Sequence, residues 1–280
     1  MILINAQSLN NKIEELTACC KYAEQFRNAN IIGVSETWLK EDSADPDIPG
    51  YSCYRLDRSK DATGKKEGGG VCLFINNKWC TNVSIKESKC LEDIEILSVA
   101  LRPFYLPREF NQIFVTIVYI HPRANYKLAQ SKIKETINRL VSSSPDAPCF
   151  ILGDFNKCKI NKTLPTFKQY VTCTTCGDNT LDQCFGNIKD AYKSNRLSKL
   201  GRSAHNMVHL LPLYKQKIKR EKPQSKTVKI YSKEAVEALN ACYDCTNWEV
   251  FIESSETLDE ATEVISDYVN LCNDLVVPSK

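Results

Sequence analysis

Short apolar runs alternate with polar loops along the first three quarters of the chain, broken by two stretches of helical spacing. Residues 1–5, 30–34, 71–75, 94–101, 112–120, 148–152, 180–186 and 207–213 read as strands, most of them ending in polar residues. A Pro-containing loop separates 94–101 from 112–120, which predicts an antiparallel pair. Over 11–28, Ile13, Leu16, Cys20, Ala23 and Phe26 fall on one side of a helix, and 129–142 shows the same periodicity. Residues 60–70 are polar and close on three glycines, the pattern of a mobile loop entering the strand at 71. Strands, helices and hairpins mixed in this way predict a layered α/β sandwich. No internal repeat or low-complexity segment interrupts it.

Beyond 214 the character changes. Residues 215–229 are basic and aperiodic, Ser232 is placed to cap a helix over 233–243, and 258–275 has amphipathic helical spacing. The expected organisation is therefore a domain over 1–214, then a basic linker and acidic helical connector over 215–280, too small to bury a core of its own. Charge sharpens this division. The net charge is +3, yet 193–233 carries twelve Lys/Arg against Glu221, and 234–280 carries eleven acids against Lys280. A basic run beside a catalytic domain suits a polyanionic partner; taken alone, 215–229 reads equally as a solvated linker.

Composition adds limits. Hydrophobic residues make up 42% and charged residues 25%, ordinary for a globular protein with a substantial core. No stretch is apolar enough for a membrane span, and 1–12 lacks a basic leader. The expected location is nuclear or cytoplasmic, not secreted, with the sequons at Asn82 and Asn161 unoccupied. The fourteen cysteines include two CxxC pairs, Cys173/Cys176 and Cys242/Cys245, too far apart in sequence for an ordinary zinc module. Most read as reduced, buried small hydrophobes.

The chemistry gathers at strand ends, where α/β folds place ligands. Asn5, Glu36, Tyr119, Asp154 and Asn156 each lie at or just past the end of an apolar run, and Asp182 and His205 adjoin the last two. Singly, an acid after a strand is more often a turn former than a ligand. Together they offer hard oxygen ligands, a carboxylate that can orient water, an amide, and a carboxylate–imidazole pair, which suits magnesium-assisted phosphodiester hydrolysis. In Gly153-Asp154-Phe155-Asn156 a strand empties directly into an acid and an amide two residues apart.

That block, with Ser35-Glu36-Thr37-Trp38-Leu39, Tyr119-Ile-His-Pro122, Leu181-Asp182 and Ser203-Ala204-His205, resembles the endonuclease/exonuclease/phosphatase superfamily. More narrowly, Asn5-Ala-Gln-Ser-Leu-Asn-Asn-Lys12 followed by Glu36-Thr37-Trp38-Leu39 is similar to the apurinic-type endonuclease domain of LINE (non-LTR) retrotransposons of the jockey-like kind. The resemblance spans residues 1 to about 214, and 215–280 looks like the linker preceding a reverse transcriptase. It implies a four-layer α/β/β/α, DNase I-like sandwich with a C-terminal helical extension, and an enzyme that nicks DNA. By the same resemblance Glu36 would be the main Mg2+ (or Mn2+) ligand with Asn5 beside it, and Asp154 would orient or deprotonate the attacking water. Asn156 would hold the water or the phosphate, and Asp182 would fix the tautomer of His205, whose protonated ring stabilises developing charge. Tyr119 would contact the phosphate or assist the leaving oxygen, and Thr180 would bring a hydroxyl near it. The implied partners are target DNA and, in the full polyprotein, element RNA and the reverse transcriptase.

Two positions depart from that pattern. Gln7 stands where the apurinic repair enzymes often carry an acid, a change usual in the retrotransposon branch. Ala204 is more serious, because the superfamily pattern before the last histidine is Ser-Asp-His. Its effect would be impaired or absent cleavage, and the competing reading is a cleavage-defective remnant that folds and at most binds nucleic acid. A superfamily member acting on a small phosphoester, such as an inositol phosphate or sphingolipid, is a third. His121 reads as a loop residue, His209 as packing, Trp38 as core and Trp79 as framework.

Overall fold

The computed structural model describes residues 1–64, 68–215 and 228–280, and the chain divides into two compact units, Met1–Lys217 and Ile218–Lys280. Most of the basic run at 215–229 thus lies outside the described residues. In the first unit, β1 (Ile2–Asn5), β2 (Ile31–Ser35), β3 (Tyr51–Leu56) and β4 (Val71–Asn76) join β11 (Tyr192–Lys199) and β12 (Asn206–Pro212) in one sheet, ordered β11-β12-β1-β2-β4-β3. The second sheet holds β5 (Asn82–Cys90), β6 (Ile94–Arg102), β7 (Ile113–Ile120), β8 (Cys149–Asp154), β9 (Lys168–Gln169) and β10 (Asp182–Gly186), ordered β5-β6-β7-β8-β10-β9.

Strand alternation sorts the side chains into three apolar layers. Leu3, Leu73, Leu97, Val99, Val115, Ile117 and Leu152 fill the space between the sheets. On the outer face of the first sheet, Ile2, Ile4, Ile32 and Phe74 meet Leu16 of α1 (Ile13–Tyr22) and Phe26 of α2 (Glu24–Arg27). On the outer face of the second, Ile96, Phe114 and Ile151 meet Ile133 and Ile137 of α4 (Tyr126–Ser143), which Asn125 caps through Leu128 N. Helix, sheet, sheet, helix: this is the four-layer α/β/β/α sandwich expected from the sequence. Between β1 and β2 the expected single helix is broken. A 3-10 turn (Asn10–Lys12) leads into α1, and Ala23 is extended (φ −87°, ψ 126°), restarting the chain as α2 so that Phe26 reaches the core. The segment expected as a loop before β4 carries a short α3 (Lys60–Thr63), fastened by Thr63 Oγ1 donating to Ser59 O.

The second unit is three capped helices. Ser232 caps α5 (Lys233–Asp244), Asn247 caps α6 (Trp248–Glu253) and Thr257 caps α7 (Leu258–Val276), each side chain accepting from a backbone N–H of the first turn. Tyr243, Trp248, Phe251 and Tyr268, each half-buried, pack with ring centroids 5.1–6.0 Å apart, and Ala235, Ala261 and Cys272 are buried. No helix among the described residues is long and apolar enough to cross a membrane.

Candidate active site

The C-terminal ends of β1, β2, β7 and β8 open at one end of the sandwich, together with the starts of β10 and β12. Asn5, Glu36, Tyr119, Asp154, Asn156, Asp182 and His205 all come from these positions. Asp154 and Asp182 are register partners on β8 and β10, which places two carboxylates side by side. Gly153 is required at this strand end: at φ +140° an added Cβ would run into the Val118 carbonyl. The backbone around the crevice is strained. Of six non-glycine residues with positive φ among the described residues, five (Gln7, Ser8, Glu36, Trp38 and Asn156) lie on the crevice loops.

Hydrogen bonds hold these loops in place. Ser8 N donates to Glu36 O (3.0 Å) and Leu9 N to Thr37 O (2.8 Å), joining the loops that follow β1 and β2. Lys12 Nζ donates to Ala6 O (2.6 Å) and Gln7 O (2.7 Å). Asn5 Nδ2 donates to Asp154 Oδ2 (2.9 Å), and Asn156 reaches the same carboxylate through its backbone N–H (2.8 Å to Oδ1) and its side-chain amide. His205 Nδ1 pairs with Asp182 Oδ2 at 2.6 Å. Thr180 Oγ1 donates to Cys173 O (2.9 Å), so its hydroxyl braces the loop that leads into β10.

Electrostatics set the protonation preferences. Burial and then the Asp182 charge hold the Asp154 carboxyl well above the usual range, against the Asn156 N–H that favours its ionised form. Burial alone would lower the His205 pKa, but the Asp182 hydrogen bond and charge outweigh it and the net shift is upward. Burial first, then the Glu36 and Asp154 charges, raise the Tyr119 pKa and hold it protonated.

The donor set fits a hard divalent cation. Asp154, Asp182 and His205 offer ligand atoms within 4.8 Å of one another; Asn5 donates to the Asp154 carboxylate, and the Glu36 charge acts on both Asp154 and His205. Two buried oxygens, Asn5 Oδ1 and Asp182 Oδ1, lack any hydrogen-bond partner. Unpaired, electron-rich oxygens at a buried site are what an oxygen-preferring cation would satisfy.

Sequence reasoning missed several residues. Arg58 Nε and Glu95 Oε1 form a buried pair at 2.6 Å, Glu95 Oε2 accepts from Gly70 N (2.6 Å), and Arg58 lies over the Tyr119 ring, 5.2 Å from its centroid. Glu95 sits opposite Tyr119 on β6, facing the space between the sheets; only its even spacing from Leu97 and Val99 betrays that. Thr175, fully buried, accepts from Leu181 N and Asp182 N. Trp38, read as core, is 43% exposed, at a positive φ (56°) and with its indole Nε1 donating to Glu36 Oε2 (3.0 Å). At the position without its carboxylate, Ala204 N donates to Gln7 Oε1 (2.8 Å), while Ser203 Oγ bonds Asn5 O (2.8 Å) and keeps the loop closed.

A two-sheet sandwich with buried carboxylates, a carboxylate–imidazole pair and a candidate cation site at its open strand ends defines a phosphodiesterase-type scaffold. Residues 3–177 match the Endonuclease/Exonuclease/phosphatase family, and the chain belongs to it. Members of this family are hydrolases acting on phosphodiester bonds and generally use divalent metals. Among solved structures, the endonuclease domain of TRAS1, a telomere-specific non-LTR retrotransposon, is similar at 16% identity over 74% of this chain and 94% of that one (TM-score 0.53). The AP endonuclease LMAP from Leishmania major is similar at 11% identity over 75% and 86% (TM-score 0.57). The human Nocturnin catalytic domain is similar at 15% over 75% and 92% (TM-score 0.52). At these identities the likeness is one of fold. No curated protein matches the chain.

Proposed function

We propose that the chain is a divalent-metal-dependent DNA endonuclease of the LINE retrotransposon class, with cleavage weakened by Ala204. The observation that carries this reading is the convergence of Asp154, Asp182 and His205 within 4.8 Å beside two unpaired buried oxygens. The retrotransposon-like block from Asn5 to Leu39 and the basic run over 193–233 favour DNA over a small phosphoester. In this reading residues 215–280 connect to a reverse transcriptase, the partners are target DNA and element RNA, and the place of action is the nucleus or cytoplasm.

Glu36 and Asn5 would hold Mg2+, or Mn2+, which polarises the phosphate and offsets charge developing on its oxygens. Asp154, its basicity raised by burial and the Asp182 charge, takes the proton of the attacking water, and Asn156 holds that water or the phosphate. Asp182 keeps His205 protonated and oriented toward the phosphate oxygens. Tyr119, protonated at all working pH values, donates to the phosphate or the leaving oxygen, and Thr180 adds a hydroxyl at the rim. The product is a nick with a 3′-hydroxyl able to prime reverse transcription.

Ala204 supports the second reading, a folded remnant that at most binds nucleic acid. One assay separates the two: supercoiled plasmid is incubated with the full chain and Mg2+ or Mn2+, against EDTA and Glu36→Gln controls. Relaxed plasmid above both controls is expected. Its absence would remove the enzyme reading. Ala204→Asp should raise nicking by about 10- to 100-fold, the usual effect of one carboxylate near a metal site, and nicking by that variant alone would mark the chain as a point-inactivated remnant.

A further inference from the structure

Trp38 is a large aromatic kept exposed at the crevice against its own conformational preference. Its φ of 56° is a conformation that bulky L residues rarely adopt, and 43% of its surface faces solvent. Two hydrogen bonds hold it there: its backbone N–H donates to Gly69 O (2.9 Å), and its indole Nε1 donates to Glu36 Oε2 (3.0 Å). Glycines on the facing segment leave room for the side chains that flank Trp38. A Cβ on Gly69 would strike the Arg58 guanidinium, one on Gly70 would strike Thr37 Oγ1, and one on Gly68 would stand 4.0 Å from the indole nitrogen. Arg58 and Gly70 are fixed in turn by Glu95. Among the described residues no other ring stacks on Trp38.

An exposed indole that no other ring covers, tied by its edge to the candidate metal-binding carboxylate, suits a flat partner immediately beside the phosphate. We infer that Trp38 is a stacking platform for the nucleobase adjoining the scissile phosphate, set in register with the site by its hydrogen bond to Glu36. The inference rests on the nucleic-acid reading of the crevice and adds a base-binding position to it. Every base presents a π face, so the contact selects for the presence of a base rather than its identity. The indole N–H also makes Trp38 a positioning residue for Glu36, which a phenylalanine could not replace.

The test uses Trp emission of the full chain with Ca2+ as the divalent ion, titrated with an oligothymidylate and with a base-free phosphodiester of the same length. The oligothymidylate should quench emission and bind about 5- to 150-fold more tightly, the range for one base on one aromatic ring. Trp38→Ala should lose the quench and bind both probes equally. Should that variant fold poorly by circular dichroism, Trp38→Phe should keep a reduced preference for the probe with bases while losing the quench. Equal affinity of the unaltered chain for both probes, or a quench that persists without Trp38, would overturn the proposal while leaving the nuclease reading intact. Failure to bind either probe would overturn both.

Discussion

The two ends of the first unit join the same pair of sheets by opposite chemistry. At the closed end, Phe150 of β8, Tyr170 and Tyr192 of β11 stack with centroids 5.4–6.3 Å apart, and Gly186 leaves room for the Tyr170 ring. At the open end three polar ties cross between the sheets: Asn5 to Asp154, His205 to Asp182 and Arg58 to Glu95, at 2.9, 2.6 and 2.6 Å. Aromatic packing gains from apolar burial without needing partners of exact charge. Buried ionisable groups gain little net stability and become costly when one partner is lost. The closed end therefore stabilises the sandwich, and the open end holds charge where water has been excluded.

Removing His205 should separate the ends most widely. His205→Ala deletes the group offered to the phosphate oxygens, and nicking should fall by about 10²- to 10⁴-fold, the range for a positioned acid or charge-stabilising donor. Plasmid-relaxation rates with saturating Mg2+ check this. A variant within about threefold of the unaltered chain would take His205 out of the chemistry.

Next in size come two destabilising changes of similar magnitude and different consequence. Phe150→Ala at the closed end removes an aromatic that is 5% exposed and should cost about 3–5 kcal/mol in urea unfolding. Arg58→Ala leaves Glu95 buried without its partner; both side chains are nearly inaccessible (7% and 1%), and the cost should again be about 3–5 kcal/mol. Only Arg58→Ala should also slow nicking per folded molecule, because the guanidinium supports Tyr119 and the Gly69–Gly70 backbone that carries Thr37 and Trp38. If Phe150→Ala slowed nicking as much, the division of labour between the ends would be wrong.

This division also explains what the sequence could show. All eight interior strands are visible as apolar runs, since each is covered on both faces. The four strands not anticipated, β3, β5, β9 and β11, are the four sheet edges. Tyr51–Leu56 is half-buried throughout, and β11 alternates half-buried with exposed residues, so neither carries a buried apolar run. At the site, residues that end a strand were legible because strand ends are where polar residues interrupt apolar runs. Arg58, Glu95 and Thr175 were not. Arg58 and Glu95 matter through pairing between residues 37 apart, which no local pattern encodes, and Thr175 acts through a buried hydroxyl that accepts the backbone N–H groups of Leu181 and Asp182. Trp38 was misread for a related reason, because composition favours burying a tryptophan while its contact with Glu36, formed only in the fold, holds it exposed.

The smallest effect concerns pH, and its sign follows from the two raised groups at the open end. His205, raised in the folded state, contributes stability that is complete below the ordinary histidine value near 6.5 and is lost as pH rises through the raised one. Asp154 is also raised, so the folded chain binds more protons than the unfolded chain above the usual carboxylate range, and this too makes stability fall as pH rises. Other groups slope the opposite way, among them His209 and the Met1 amine, which burial lowers to about 6. A difference measurement cancels them. In EDTA, the melting temperature of the unaltered chain relative to Asp154→Asn should decline as pH rises from the usual carboxylate range through the raised Asp154 value. Excess Mg2+ should flatten or reverse that decline, because the cation binds the ionised carboxylates and stabilises the fold more as they form. A relative melting temperature that rises with pH in EDTA would mean that Asp154 is comfortably ionised without a cation. The polar end would then be as self-sufficient as the aromatic one.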